Sequence, residues 1–308
     1  MMTAKFKAHY KKLLLGITLY LCAPTSNAQN QNAAIEVNIK ASTQSEAIVT
    51  MVNPDDFPHL VLVKIFNRGA EENLIAETKA TVNGKEGLSL EIKSNPGAQF
   101  GTSLTWKVVE SIGDNRTLNK DNHFQLPFPS NFKVRICQSP DGPLTTHIKD
   151  KLNAIDFCAP EKTPIVAAKD GTVFEVIQNY TEGGRDPSLL GRENKIRILH
   201  EDGLISEYAH LYPNSANVNI GDKVKRGQQI ALLGNVGYSS GVHLHFEVSE
   251  SDSELNAHNN FLKIVPITFV DPSNKEIKIQ YGRTYTINGI SNEASTIYRL
   301  HRPGLRFN

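Results

Sequence analysis

The sequence predicts a mainly β protein, with an N-terminal immunoglobulin-like β-sandwich followed by a second β-rich unit. Three observations carry this expectation. Short apolar and polar alternations recur along the first part of the chain, the pattern of strands whose successive side chains face opposite ways. Turn signals such as Asn53-Pro54-Asp55 and Asn83-Gly84 separate them. With 21 glycines and 15 prolines, the composition suits a turn-rich β chain.

Residues 1–28 read as a signal peptide. Lys5, Lys7, Lys11 and Lys12 make a basic start without an acid. The apolar stretch Leu13 to Ala23 follows, then Ser26-Asn27-Ala28, with small residues where a signal peptidase needs them. An uncleaved anchor helix is the competing reading, but the apolar stretch is short for a span. Cys22 follows Leu19-Tyr20-Leu21, which lacks the small residues that precede a lipidated cysteine. Removing the signal takes four lysines and turns a formal net charge of +1 slightly acidic. That balance gives no support for a nucleic-acid role. No later apolar run is long enough to span a membrane once the signal is cleaved.

Export implies an oxidising compartment, in the periplasm or outside the cell. Cys137 and Cys158 are the cysteines that remain, and a disulfide between them is expected. Closing that loop stabilises by roughly 3 kcal/mol in the chain-entropy model.

Residues 29–128 hold about seven short strands, hence the sandwich expectation. Leu60 to Phe66 is the fullest apolar run. His59 and His123 stand alone and read as surface or packing histidines. Leu126-Pro127-Phe128-Pro129-Ser130 reads as a domain boundary. Residues 129–272 then form the second unit, with Asp170-Gly171 and Gly221-Asp222 at the bends of strand–turn–strand patterns. Glu182 to Pro187 is too polar and glycine-rich for a strand and reads as a surface loop. Residues 273–308 add a C-terminal β extension.

The sharpest chemical feature is His243-Leu244-His245-Phe246-Glu247. On a strand, residues i and i+2 share a face about 6.5–7 Å apart, so two imidazoles can serve one site. Alone, a His-x-His pair more often has a structural role. Its context is specific. Gly234 to Glu247, the upstream Glu207-Tyr208-Ala209-His210-Leu211, and Ala154-Ile155-Asp156-Phe157 followed by Thr163-Pro164 and Ala168-Lys169-Asp170-Gly171 stand in one order. Together they resemble the signature of lysostaphin-type (LytM-like) zinc metallopeptidases, over about residues 133–250.

The resemblance implies a compact antiparallel β catalytic domain with an open groove, one zinc ion per chain and cleavage of peptidoglycan peptides. It implies Asp156 and His245 as zinc ligands, and His243 and His210 as catalytic histidines that do not bind the metal. The family's commonest pattern, His-x-x-x-Asp, finds Leu152 at the histidine position. A branch of the family places this histidine further upstream in a Thr-His dipeptide, which Thr146-His147 matches, so His147 is the expected first ligand. His200 is the alternative and otherwise reads as structural or groove-lining. Two imidazoles and one carboxylate leave a tetrahedral zinc an open position for water. Glu247 is a candidate support residue, with a groove or packing role equally open. No His-Glu-x-x-His helix is present, which argues against a glutamate base.

Rival functions remain at this point. One is a catalytically silent peptidoglycan-binding regulator of other wall hydrolases. Another is a zinc protease of exported proteins. Ala168-Lys169-Asp170-Gly171 and Gly221-Asp222-Lys223-Val224 also resemble biotinyl carrier half-motifs, but a Met-Lys-Met-like turn is lacking. The N-terminal domain is expected either to restrain the groove or to target the enzyme.

Overall fold

Strict alternation builds the first unit. In the computed structural model, which describes residues 35–67, 73–113, 120–142, 153–252 and 262–287, β2 (Glu46–Val52) buries Ala47, Val49 and Met51 and turns the residues between them outward. β2 lies between β1 (Glu36–Ala41) and β5 (Gly87–Lys93) in one antiparallel sheet. A second sheet has the order β4 (Leu74–Val82), β3 (His59–Asn67), β6 (Leu104–Ile112). Val61, Val63 and Ile65 of β3 join Val49 and Met51 of β2 in one apolar core. Among its described residues this unit thus has six strands in two three-stranded sheets, where about seven were expected. Its Asn53 turn is held from inside. The buried Asn53 amide donates to the carbonyls of Phe57 and Val82 at 2.6 and 3.0 Å.

The chain divides into two compact units between Glu110 and Ser111. The boundary expected at Leu126–Ser130 falls earlier because that segment is not a linker. Phe124, Leu126 and Phe128 are buried in the core of the second unit. β7 (His123–Gln125) also pairs there, parallel to β20 (Thr268–Val270).

A nine-stranded sheet dominates the second unit. Its central strands are β13 (Lys195–Leu199), β14 (Ile205–Ala209), β18 (Leu244–Ser251), β9 (Ile155–Cys158) and β8 (Lys133–Gln138), in that spatial order. β11 (Gly171–Ile177) and β15 (Lys223–Val224) extend one side, and β22 (Thr284–Thr286) extends the other. β19 (Leu262–Ile264) pairs with β18 off this path. Smaller pairs join β10 (Pro164–Val166) to β16 (Gln229–Leu232) and β21 (Glu276–Ile277) to β20. The described part of the C-terminal extension therefore belongs to this unit.

β12 (Gly183–Gly184) pairs with β17 (Gly237–Tyr238), inside the segment read as a plain loop. Glycine explains the difference. A Cβ on Gly183 would lie 1.5 Å from the Asn235 carbonyl oxygen, so only glycine permits this approach. Cys137 and Cys158 form the expected disulfide, with Cα atoms 5.7 Å apart, and it ties β8 to β9. Among the described residues no helix is long and apolar enough to cross a membrane.

Candidate metal centre

β18 carries the site because its two faces differ. Leu244, Phe246 and Val248 enter the core, where the Phe246 ring meets Tyr208 and Phe157 edge-on at 5.1 and 6.4 Å. The alternate residues His245 and Glu247 take the opposite face and are also buried. Neighbouring strands pair His245 with Asp156 on one side and with Ala209 on the other. Asp156 in turn pairs with Gln138 of β8. One transverse row therefore runs Ala209, His245, Asp156, Gln138 across four strands. The next row on this face runs Glu247, Glu207, Arg197, Glu175.

His245 Nδ1 lies 3.1 Å from Asp156 Oδ1. Its other nitrogen, Nε2, lies 3.0 Å from Glu247 Oε2. Burial opposes a charge on this ring, but Asp156 and Glu247 outweigh it and push its pKa up to about 10. The pocket calls for positive charge. In the second row Arg197 Nε reaches Glu207 at 2.5 Å and Glu175 at 3.3 Å. Burial works against the guanidinium charge, and these carboxylates more than restore it, so the pKa is raised. Arg197 thus faces the carboxylates of Glu175, Glu207 and Glu247, while Asp156 and Glu247 flank His245, a site rich in carboxylates that suits a cation.

The donor set fits zinc. Ligands at about 2.0–2.1 Å from a tetrahedral zinc lie about 3.3 Å apart, close to the observed separation of Nδ1 and Oδ1. Glu247 occupies the far side of the ring, where a carboxylate fixes the tautomer and orients a ligating imidazole. Glu207, His245 and Glu247 form another grouping of potential ligand atoms, all within 4.8 Å of one another. That grouping is the poorer cation site, because the Arg197 guanidinium already sits on Glu207. His147, the expected first ligand, lies outside the described residues.

Two more histidines border the pair. The His243 and His210 rings are 4.6 Å apart, and His210 is 6.2 Å from the ring of His245. Each gives its Nδ1 to a backbone carbonyl, His210 to Val236 at 2.7 Å and His243 to Gly241 at 2.8 Å. A carbonyl only accepts, so Nδ1 carries a proton in both rings and Nε2 is the atom left to exchange one. His243 Nε2 lies 3.7 Å from Asp156 Oδ2. Burial, with His243 beside it, pushes His210 down to about 4, so this ring is neutral.

His210 reaches the site by a backbone device. Regular alternation would send it to the face opposite Ala209. The strand ends at Ala209, and His210 takes the left-handed conformation with φ 63°, which re-aims the ring. His200, the alternative ligand, is elsewhere and engaged. Its Nδ1 donates to the Asp170 carbonyl at 2.7 Å, and its Nε2 lies 2.9 Å from the buried Ser206 hydroxyl.

Sequence reasoning did not single out Gln138, Arg197 or Glu207. Glu207 stood inside a quoted motif, and its two-residue spacing from Ala209 was the available signal. Gln138 had none, since its position depends on strand register.

Residues 150–257 match the model of peptidase family M23. An uncharacterized metalloprotease of Buchnera aphidicola subsp. Baizongia pistaciae is 33% identical over 137 residues, covering 44% of this chain and 33% of that protein. Peptidoglycan DD-endopeptidase ShyC of Vibrio cholerae is 35% identical over 118 residues, 38% of this chain and 23% of that protein. Glycyl-glycine endopeptidase ALE-1 of Staphylococcus capitis is 36% identical over 94 residues, 30% of this chain and 23% of that protein. The chain therefore spans a third or less of the length of each of these relatives. The segment that holds Asp156, His210, His243 and His245 is a peptidase family M23 domain.

Proposed function

We propose that this protein is an exported zinc-dependent endopeptidase that hydrolyses peptide bonds of peptidoglycan. The observation that carries the reading is the 3.1 Å approach of His245 Nδ1 to Asp156 Oδ1, beside two imidazoles whose Nδ1 atoms are held by backbone carbonyls. Asp156 and His245, with His147, would hold the ion. Zinc bound there supplies a Lewis acid that acidifies a water and polarises the scissile carbonyl.

The chain's own residues then move the protons. The Nε2 of His243 or His210 accepts the proton of the attacking water, because the Nδ1 of each is already committed to a carbonyl. The same ring returns that proton to the leaving amine. The neighbouring imidazole can donate a hydrogen bond to the oxygen where negative charge develops only when its own Nε2 is protonated. Glu247 keeps the His245 ring in the tautomer whose Nδ1 is unprotonated.

The substrate class rests on relatives named as peptidoglycan and glycyl-glycine endopeptidases. Export rests on the basic and apolar start of the chain and agrees with the Cys137–Cys158 disulfide. The N-terminal sandwich would restrain or target the peptidase.

Digestion of purified sacculi by the zinc-loaded protein, read by mass spectrometry of released fragments, tests the reading. New peptide termini are expected, and they identify the bond. Absence of new termini, both from the whole protein and from one lacking residues 29–110, would refute an endopeptidase.

A further inference from the structure

Asp156 must present one oxygen to a metal while its other oxygen stays buried. The residue is almost fully enclosed, at 2% exposure. Oδ1 faces His245 Nδ1. Oδ2 accepts a hydrogen bond from the side-chain amide of Gln138. His243 Nε2 approaches the same oxygen at 3.7 Å.

Gln138 reaches this place by an irregularity in the sheet. Arg135 pairs with Cys158 and Ile136 with Phe157, after which the register shifts and Gln138 pairs with Asp156. Without the shift, Cys137 would stand opposite Asp156. Cys137 is the extra residue of the bulge, and it is bonded to Cys158. The disulfide therefore secures the bulge that brings Gln138 onto the ligand row. A bulge re-aims a side chain in this way next to functional sites.

We propose that Gln138 is a positioning residue of the metal centre, whose amide holds Asp156 Oδ2 so that Oδ1 alone is offered beside His245. The inference rests on the reading of Asp156 as a ligand. A neutral donor suits the task. It satisfies the buried oxygen without withdrawing the carboxylate charge from the cation, as an arginine or lysine would. Without it, the Asp156 carboxylate can rotate toward His243 or chelate through both oxygens.

The test is zinc affinity, measured by competition with a chromophoric chelator on the purified protein and on the variants Q138L and Q138E. Q138L removes the donor, and Q138E removes it while keeping the shape. Both are expected to weaken zinc binding by about 10- to 100-fold. The metal-free unfolding temperatures should fall, because each variant takes the donor from a buried carboxylate oxygen, so zinc affinity is measured where the metal-free protein is folded, and the visible spectra of the cobalt-loaded forms should shift. A role in packing alone would spare Q138E, which also decides the matter if Q138L does not fold. Parent-like zinc affinity in Q138E, within threefold, overturns this inference alone. A parent protein that binds no zinc overturns the proposed function as well.

Discussion

Glu207 and Glu247 stand directly opposite each other on neighbouring strands, two buried carboxylates in register. Like charges so placed repel. Arg197 offsets one and His245 the other, at 2.5 and 3.0 Å. Arg197→Met leaves Glu207 and Glu175 without their cation. It should destabilise the metal-free protein by about 3–5 kcal/mol in urea unfolding. Adding Glu207→Gln to that variant should recover most of the loss. Additive effects of the two changes would show that the pair is not coupled.

The proton-transfer roles separate from metal binding. His243→Ala and His210→Ala should each lower kcat about 10²- to 10⁴-fold. Zinc content, read by atomic absorption, should remain at one ion per chain. His245→Ala should instead lose the ion. Loss of zinc from His243→Ala would place that ring among the ligands.

Removing the Cys137–Cys158 crosslink should cost about 3 kcal/mol, for a loop with a sequence separation of 21 residues. A Cys137→Ser/Cys158→Ser variant should unfold at correspondingly lower urea. A thiol assay on the unreduced folded protein should find neither of these cysteines free.

His200 makes a contribution to acid sensitivity that can be isolated. Burial, joined by the nearby Lys169, pushes it down to about 4 from an ordinary value near 6.5. The unfolded chain therefore takes up a proton between pH 6.5 and 4 that the folded chain refuses. Stability from this group is complete above about pH 6.5 and declines as the pH falls toward 4, by up to about 3 kcal/mol. His200→Gln should flatten the stability profile by that amount across this window. A profile as steep as the parent's would assign the acid sensitivity to other groups.

Much of the centre was legible because strand alternation converts sequence spacing into a shared face. His245 and Glu247 needed only a period of two, and Phe246 between them marked the core side. Asp156 was legible from its motif. What escaped depends on backbone geometry that residue types do not announce. The left-handed turn at His210 and the bulge at Cys137 each shift a side chain by a step that alternation does not foresee. The domain boundary escaped for another reason. Prolines beside Leu126 and Phe128 resembled a linker, while those apolar side chains were committed to a core. His59, read as a surface or packing residue, is buried with Nε2 2.5 Å from Asp55 Oδ2.

The transverse row of Ala209, His245, Asp156 and Gln138 also sets which length changes this domain tolerates. A residue inserted into β18 or β9 between paired positions inverts every side chain beyond it. Such an insertion would turn His245 or Asp156 into the apolar core and Phe246 or Phe157 out of it together. Loops between the strands carry no such parity. Connections other than those that hold the Val236 and Gly241 carbonyls can therefore change length, while β18 and β9 accept substitution without insertion.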